Sequence, residues 1–131
     1  MQHTYKILPE HRLHIEQMVG EFTLESIATT AEEMLADPLF DASYDSIADF
    51  RKAHAKMTRV EILGFSGLMR KTGMFDGQSK WAFVASDPLV LELSEIFKNQ
   101  LNENENMQVF NTIQAAADFI QNPEILNHFS D

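Results

Sequence analysis

The chain has 131 residues, 44% of them hydrophobic and 23% charged, the size and composition of one globular domain with a proper core. It contains no cysteine, which excludes a disulfide scaffold, a thiolate metal site and a cysteine nucleophile. Ten Lys and Arg against twenty Asp and Glu leave a net charge of −10, a poor match for a phosphate backbone, so no nucleic-acid partner is expected. No apolar run is long enough to span a bilayer, and residues 1–20 carry charge throughout without an apolar h-region, so a cytoplasmic protein is expected.

Residues 5–8 read as a short strand turned by Pro9-Glu10-His11. The next run sets Leu13, Ile15 and Val19 against His14, Glu16 and Met18, the alternation of a half-buried strand pairing back as a hairpin. Thr23 caps a helix carrying Leu24, Ile27, Ala28, Ala31, Met34 and Leu35, and Asp37-Pro38 stops it. A central strand is expected over Tyr44–Phe50. Thr58 followed by Glu61 is a capping box opening a helix to about Lys71, which Gly73 closes. The continuous apolar run Trp81–Ala85 suits a strand buried on both faces. Asp87-Pro88 starts a third helix, with Val90, Leu93, Ile96, Phe97 and Leu101 inward, and Asn102–Asn106 is its exit loop. Met107–Phe110 is a last strand, Thr112 caps a last helix, and residues 124–131 form a tail that either adds a helical turn or hangs free. The order predicts one α/β domain: a mainly parallel sheet of four or five strands, an antiparallel edge strand, about four helices and a core over residues 5–121.

Catalytic signatures are missing from this order. The five histidines are scattered, with His11 and His14 near one another on an exposed turn, and they read as surface residues. No nucleophile elbow, dinucleotide fingerprint or phosphate-cradling loop is present. A non-enzymatic protein without cofactor or metal is therefore expected. Asp49, near the end of a central strand, is the one carboxylate placed where open α/β sheets bind ligands, although accepting hydrogen bonds from nearby amides would explain it as well.

Charge is unevenly spread. Between residues 51 and 80, seven cations (Arg51, Lys52, Lys56, Arg59, Arg70, Lys71, Lys80) face two carboxylates, a local +5 against −15 elsewhere. The helix in that segment has two apolar stripes. Val60, Leu63, Gly64, Gly67 and Leu68 form the face expected to lie on the sheet, the glycines permitting close packing. Ile62, Phe65 and Met69 form a second stripe, extended by Met74 and Phe75, which then faces a ligand cavity or a bilayer, or is covered by a neighbouring helix, a dimer partner or the tail. Lys56 and Arg59 before the helix, and Arg70 and Lys71 after it, would meet an anionic surface.

These residues resemble the SpoIIAA-like family, relatives of the STAS domain sharing features with the CRAL-TRIO fold. The likeness rests on Tyr5–Pro9, Val19–Thr23, Phe40-Asp41, Ser43–Asp45, Asp49–Arg51, Ala85–Pro88 and Val109-Phe110 leading to Ala116. It implies a small α/β domain with helices mostly on one side. It also implies two behaviours. One is binding of a small apolar or lipid-like ligand with peripheral contact at the inner face of the membrane, through helix 58–71. The other is STAS-type regulation by a protein partner. Phosphorylated STAS regulators carry Asp-Ser-Ser-Gly where this chain has Ala55–Arg59. Thr58 stands near the acceptor position, though its capping role already accounts for it, and the preceding acid is gone.

Overall fold

Residues 1–101 and 105–129 are described by the computed structural model, so residues 102–104 of the expected exit loop lie outside the described residues. The first strand, β1 (Gln2–Leu8), turns through a 3-10 turn at Pro9–His11 into β2 (Leu13–Phe22). The two pair antiparallel, from Gln2 opposite Val19 to Leu8 opposite Leu13. Then follow α1 (Leu24–Ala36), β3 (Asp45–Ala55), α2 (Arg59–Thr72), β4 (Trp81–Val84), α3 (Pro88–Leu101), β5 (Met107–Phe110) and α4 (Ile113–Ile120). A 3-10 turn at Pro123–Asn127 closes the described chain, so the tail packs, with Ile125 wholly buried.

The five strands lie side by side in sequence order, and every pair after the first is parallel. Crossovers that always step the same way, with the usual right hand, put their helices on one face. Accordingly α1, α2 and α3 cover one side of the sheet, over a core that includes Met18, Phe50, Phe65, Phe83 and Phe97. Among the described residues no strand follows α4, which folds back onto the opposite face with Ile125 over Leu13, Ile15, Ile47, Ala82 and Val84. The caps expected at Thr23, Thr58 and Thr112 are all made; Thr58 Oγ1 accepts from Glu61 N at 3.1 Å while Glu61 Oε1 accepts from Thr58 N at 3.0 Å. Gly73 ends α2 with φ +75°, a left-handed cap that a side chain would strain.

Three expectations are corrected. β2 is not half-buried: Leu13, His14, Ile15 and Glu16 are all buried, because β2 is an interior strand between β1 and β3 with helices on both sides. β3 runs five residues beyond Phe50, and its register against β2 shifts between Gln17 and Val19, an irregularity that lets it carry on to Ala55. The faces of α2 are reversed. Ile62, Phe65 and Met69 pack inward at 7, 7 and 2% exposure, while Val60, Leu63 and Leu68 lie outward at 78, 46 and 49%. Bulk decides it: the inward stripe fills the space over the sheet, where the two glycines would have left holes. Ser66 shares that inward face, its hydroxyl donating to Ile62 O at 2.7 Å.

Candidate functional site

The reversal of α2 leaves the helix with a buried apolar side and an exposed one. On its inner side, Ile62, Phe65 and Met69 meet Met74 and Phe75, so the five residues singled out as a ligand- or membrane-facing set do converge. They converge inside the domain, around a cavity of about 80 Å³ between the sheet and the three helices. Aromatic rings frame it: Phe65 stacks on Phe97 at 5.6 Å, and Phe75 lies against Trp81 at 4.6 Å and Phe97 at 5.3 Å. Met18, Met57, Met69 and Met74 complete much of the wall. An acyl chain does not fit it as it stands.

Among the described residues one ionisable side chain lines this cavity, Glu16. Its Oε2 takes a 2.8 Å hydrogen bond from His3 Nε2, and His3 Nδ1 lies 3.5 Å from Glu33. Burial lowers the His3 pKa, but the two carboxylates outweigh it and hold the imidazole above its ordinary value.

On the outer side, Val60, Leu63 and Leu68 form an exposed apolar stripe along α2, and a Cβ added at Gly64 or Gly67 would meet nothing within 4 Å. Among the described residues the glycines therefore serve no close packing. Each costs about 0.5–1 kcal/mol of helix stability relative to alanine. The stripe begins beside Thr58, where a shallow groove of about 680 Å³ runs between the N-termini of α1 and α2, floored by Leu24, Ala55 and Met57. This groove lies outside the carboxyl ends of β2 and β3, the usual ligand side of an open α/β sheet.

The basic segment does not form one patch. Arg59 pairs with Glu92, and Arg70 donates to Gln100 O, so both hold α3 against α2; Arg70 keeps its charge at the rim of the stripe, while that of Arg59 is offset by Glu92. Lys56 and Lys71 stand exposed at the two helix ends. Lys80 donates to Phe119 O at 2.9 Å and lies over that ring, on the α4 side. Arg51 grips Asp49, with Nε to Oδ1 at 2.9 Å and Nη2 to Oδ2 at 3.1 Å.

Asp49 is only 1% exposed and takes a further bond from Gln17 at 3.2 Å. It sits in mid-strand, since β3 continues past it, and strand alternation points it away from the face that α2 covers. Its acceptors are spent on Arg51 and Gln17, an anchoring role. Thr58 and Asp49 therefore do not share a site.

The sequence reading missed His14. It is buried, not a surface residue, and it stacks flat on Phe40 with centroids 4.7 Å apart. Its Nε2 accepts from Asp41 N at 3.3 Å, which leaves Nδ1–H to donate to Ser46 Oγ at 2.8 Å. Burial pushes its pKa down to about 4, against the opposing pull of Asp41 and Asp37. Its place opposite Ile15 in the alternation was the available signal, visible only if both faces of β2 were taken as covered. Among the described residues no group of three or more His, Asp or Glu is arranged to hold a metal ion.

The architecture is a SpoIIAA-like fold. No family model and no curated protein matches this chain. Among solved structures it is similar to a crystal structure of an uncharacterised protein of the DUF3478 family with a SpoIIAA-like fold, from Shewanella loihica PV-4. That similarity has a TM-score of 0.52 over 82% of this chain and 83% of the other, at 14% identity. At this identity the likeness carries the fold alone, and it carries no CRAL-TRIO feature. No helix among the described residues is long and apolar enough to cross a membrane.

Proposed function

We propose that this protein is a non-enzymatic, cytoplasmic module of STAS type that docks a regulatory protein partner on the outer face of α2. The observation that carries the reading is the exposed stripe of Val60, Leu63 and Leu68 around Gly64 and Gly67. Two glycines with open space above them weaken the helix and meet no other described residue, while they let a second backbone come close. The adjoining groove puts Thr58 at the edge of the same surface, where a phosphate on its hydroxyl would lie at a helix N-terminus and alter docking. Lys56, Arg59, Arg70 and Lys71 at the rim favour an acidic partner and disfavour a second copy of this chain, whose own cations would face them across an antiparallel pairing.

The test is affinity capture with the wild type and a Leu63→Glu/Leu68→Glu variant. A partner lost by the variant, and forming a complex of fixed stoichiometry when both proteins are purified, supports the reading. Thr58→Glu should change that affinity. Binding that ignores the double variant overturns it, as does light scattering showing that a homodimer covers the stripe.

A second reading has a separate observation behind it. The apolar cavity under α2 supports binding of a small apolar ligand, and the outer stripe with its basic rim would then rest on an anionic membrane. Vesicle co-sedimentation at low and high salt distinguishes the two, since the docking reading expects no binding to vesicles.

A further inference from the structure

The cavity has a chemical asymmetry that an ordinary packing flaw would not have. Its wall is aromatic rings, methionines and aliphatic side chains, except at the hydroxyl residues Thr30 and Ser94 and at Glu16, a carboxylate only 6% exposed. Glu16 is anchored at one oxygen: His3 Nε2 occupies Oε2 at 2.8 Å, no described residue donates to Oε1, and Oε1 is open to water-sized space, since no sealed side-chain oxygen among the described residues lacks a partner. The other polar wall groups, Thr30 and Ser94, carry uncharged hydroxyls. Thr30 spends its hydroxyl on Ile27 O at 2.7 Å. A fixed carboxylate with one free oxygen at the edge of an apolar chamber is half of a recognition pair, and the missing half is a donor.

We propose that the cavity beneath α2 binds a compact neutral molecule with an aromatic or branched-aliphatic body and one hydroxyl, which donates to Glu16 Oε1. This rests on the second reading above and names the chemistry of its ligand. Size excludes a long chain: about 80 Å³ is roughly half the volume of an engineered cavity that admits benzene. The four methionines supply the remaining room, since an unbranched thioether changes rotamer cheaply. The hydroxyl matters more than the body for specificity. A purely apolar hole rejects a buried hydroxyl that finds no acceptor, whereas a hole with a preformed acceptor selects it.

The experiment is an NMR titration of methyl-labelled methionine protein with xenon, benzene and phenol, using wild type and Glu16→Met. Xenon fits without rearrangement and should shift the Met18 and Met69 methyls in both proteins. Phenol should bind the wild type about tenfold more tightly than benzene and lose that advantage in Glu16→Met, while benzene is unchanged. Wild-type spectra should also show cross-relaxation between the phenol ortho protons and the Glu16 γ-methylene, which decides the point even if the variant does not fold. Phenol binding no tighter than benzene, or a preference that survives Glu16→Met, overturns the role of Glu16 and leaves the apolar-ligand reading standing. If none of the three probes, xenon included, shifts a lining methyl, that reading fails as well.

Discussion

Truncating Phe65 to alanine tests the orientation of α2, on which both functional readings depend. Phe65 is 7% exposed and stacked on Phe97 at 5.6 Å, with a cavity already beside it. Removing a buried ring costs about 3–5 kcal/mol, and the pre-existing void places this site toward the upper end, because the neighbours have already failed to collapse into it. Against a domain stability of about 5–15 kcal/mol, that is a large fraction of the whole. Leu63→Ala is the matched control two positions earlier. Leu63 is 46% exposed, so its truncation should cost under about 0.5 kcal/mol, alanine being at least as good a helix former. Urea denaturation followed by circular dichroism reads both. With a slope of about 1–3 kcal/mol per molar, Phe65→Ala should lower the midpoint by roughly 2 M and Leu63→Ala should barely move it. Equal losses, or a larger loss for Leu63→Ala, would refute the inward placement of Phe65 and with it the outer stripe.

Other consequences are checked as simply. Gly64→Ala with Gly67→Ala should stabilise the fold by about 1–2 kcal/mol in thermal or urea melts, since nothing occupies the space, yet weaken partner binding; unchanged binding would mean the glycines serve no docking. His14 has a folded pKa of about 4, below its unfolded value of 6.5, so the unfolded chain takes up the extra proton. Its contribution is therefore complete above pH 6.5 and declines toward pH 4, by up to roughly 2–3 kcal/mol, a slope that should flatten between those values in His14→Gln melts. His3 acts in the opposite sense: its raised pKa adds stability that is full below about 6.5 and lost as pH rises through the folded value, and His3→Gln should remove that loss. Gly77→Ala should cost more than about 2 kcal/mol in melts, because its Cβ would run into the Ala42 backbone carbonyl.

Local signals in the sequence determined the order of elements. Side-chain caps at Thr23, Thr58 and Thr112, the stop at Gly73 and the apolar run Trp81–Val84 act through near neighbours, so each element was readable from its own residues. The family likeness led to the same SpoIIAA-like fold. The convergence of Ile62, Phe65, Met69, Met74 and Phe75 was also legible as one apolar group, but not its direction. A helix carrying two apolar stripes has two nearly equivalent ways to lie on a sheet. Choosing between them depends on the volume left by Phe50, Phe83 and Phe97 on other elements, and no local pattern holds that volume. The same reason hid His14, whose burial needs loop residues Phe40 and Asp41 and the neighbouring strand's Ser46 brought over it. It also dispersed the basic segment: Arg51 turned to Asp49, Lys52 stayed on β3, Lys80 went to the α4 side, and four cations stayed with α2. Short-range hydrogen bonding and periodicity were enough to fix what each segment becomes, while the facing of each surface was settled only when the helices competed to fill one space over the sheet.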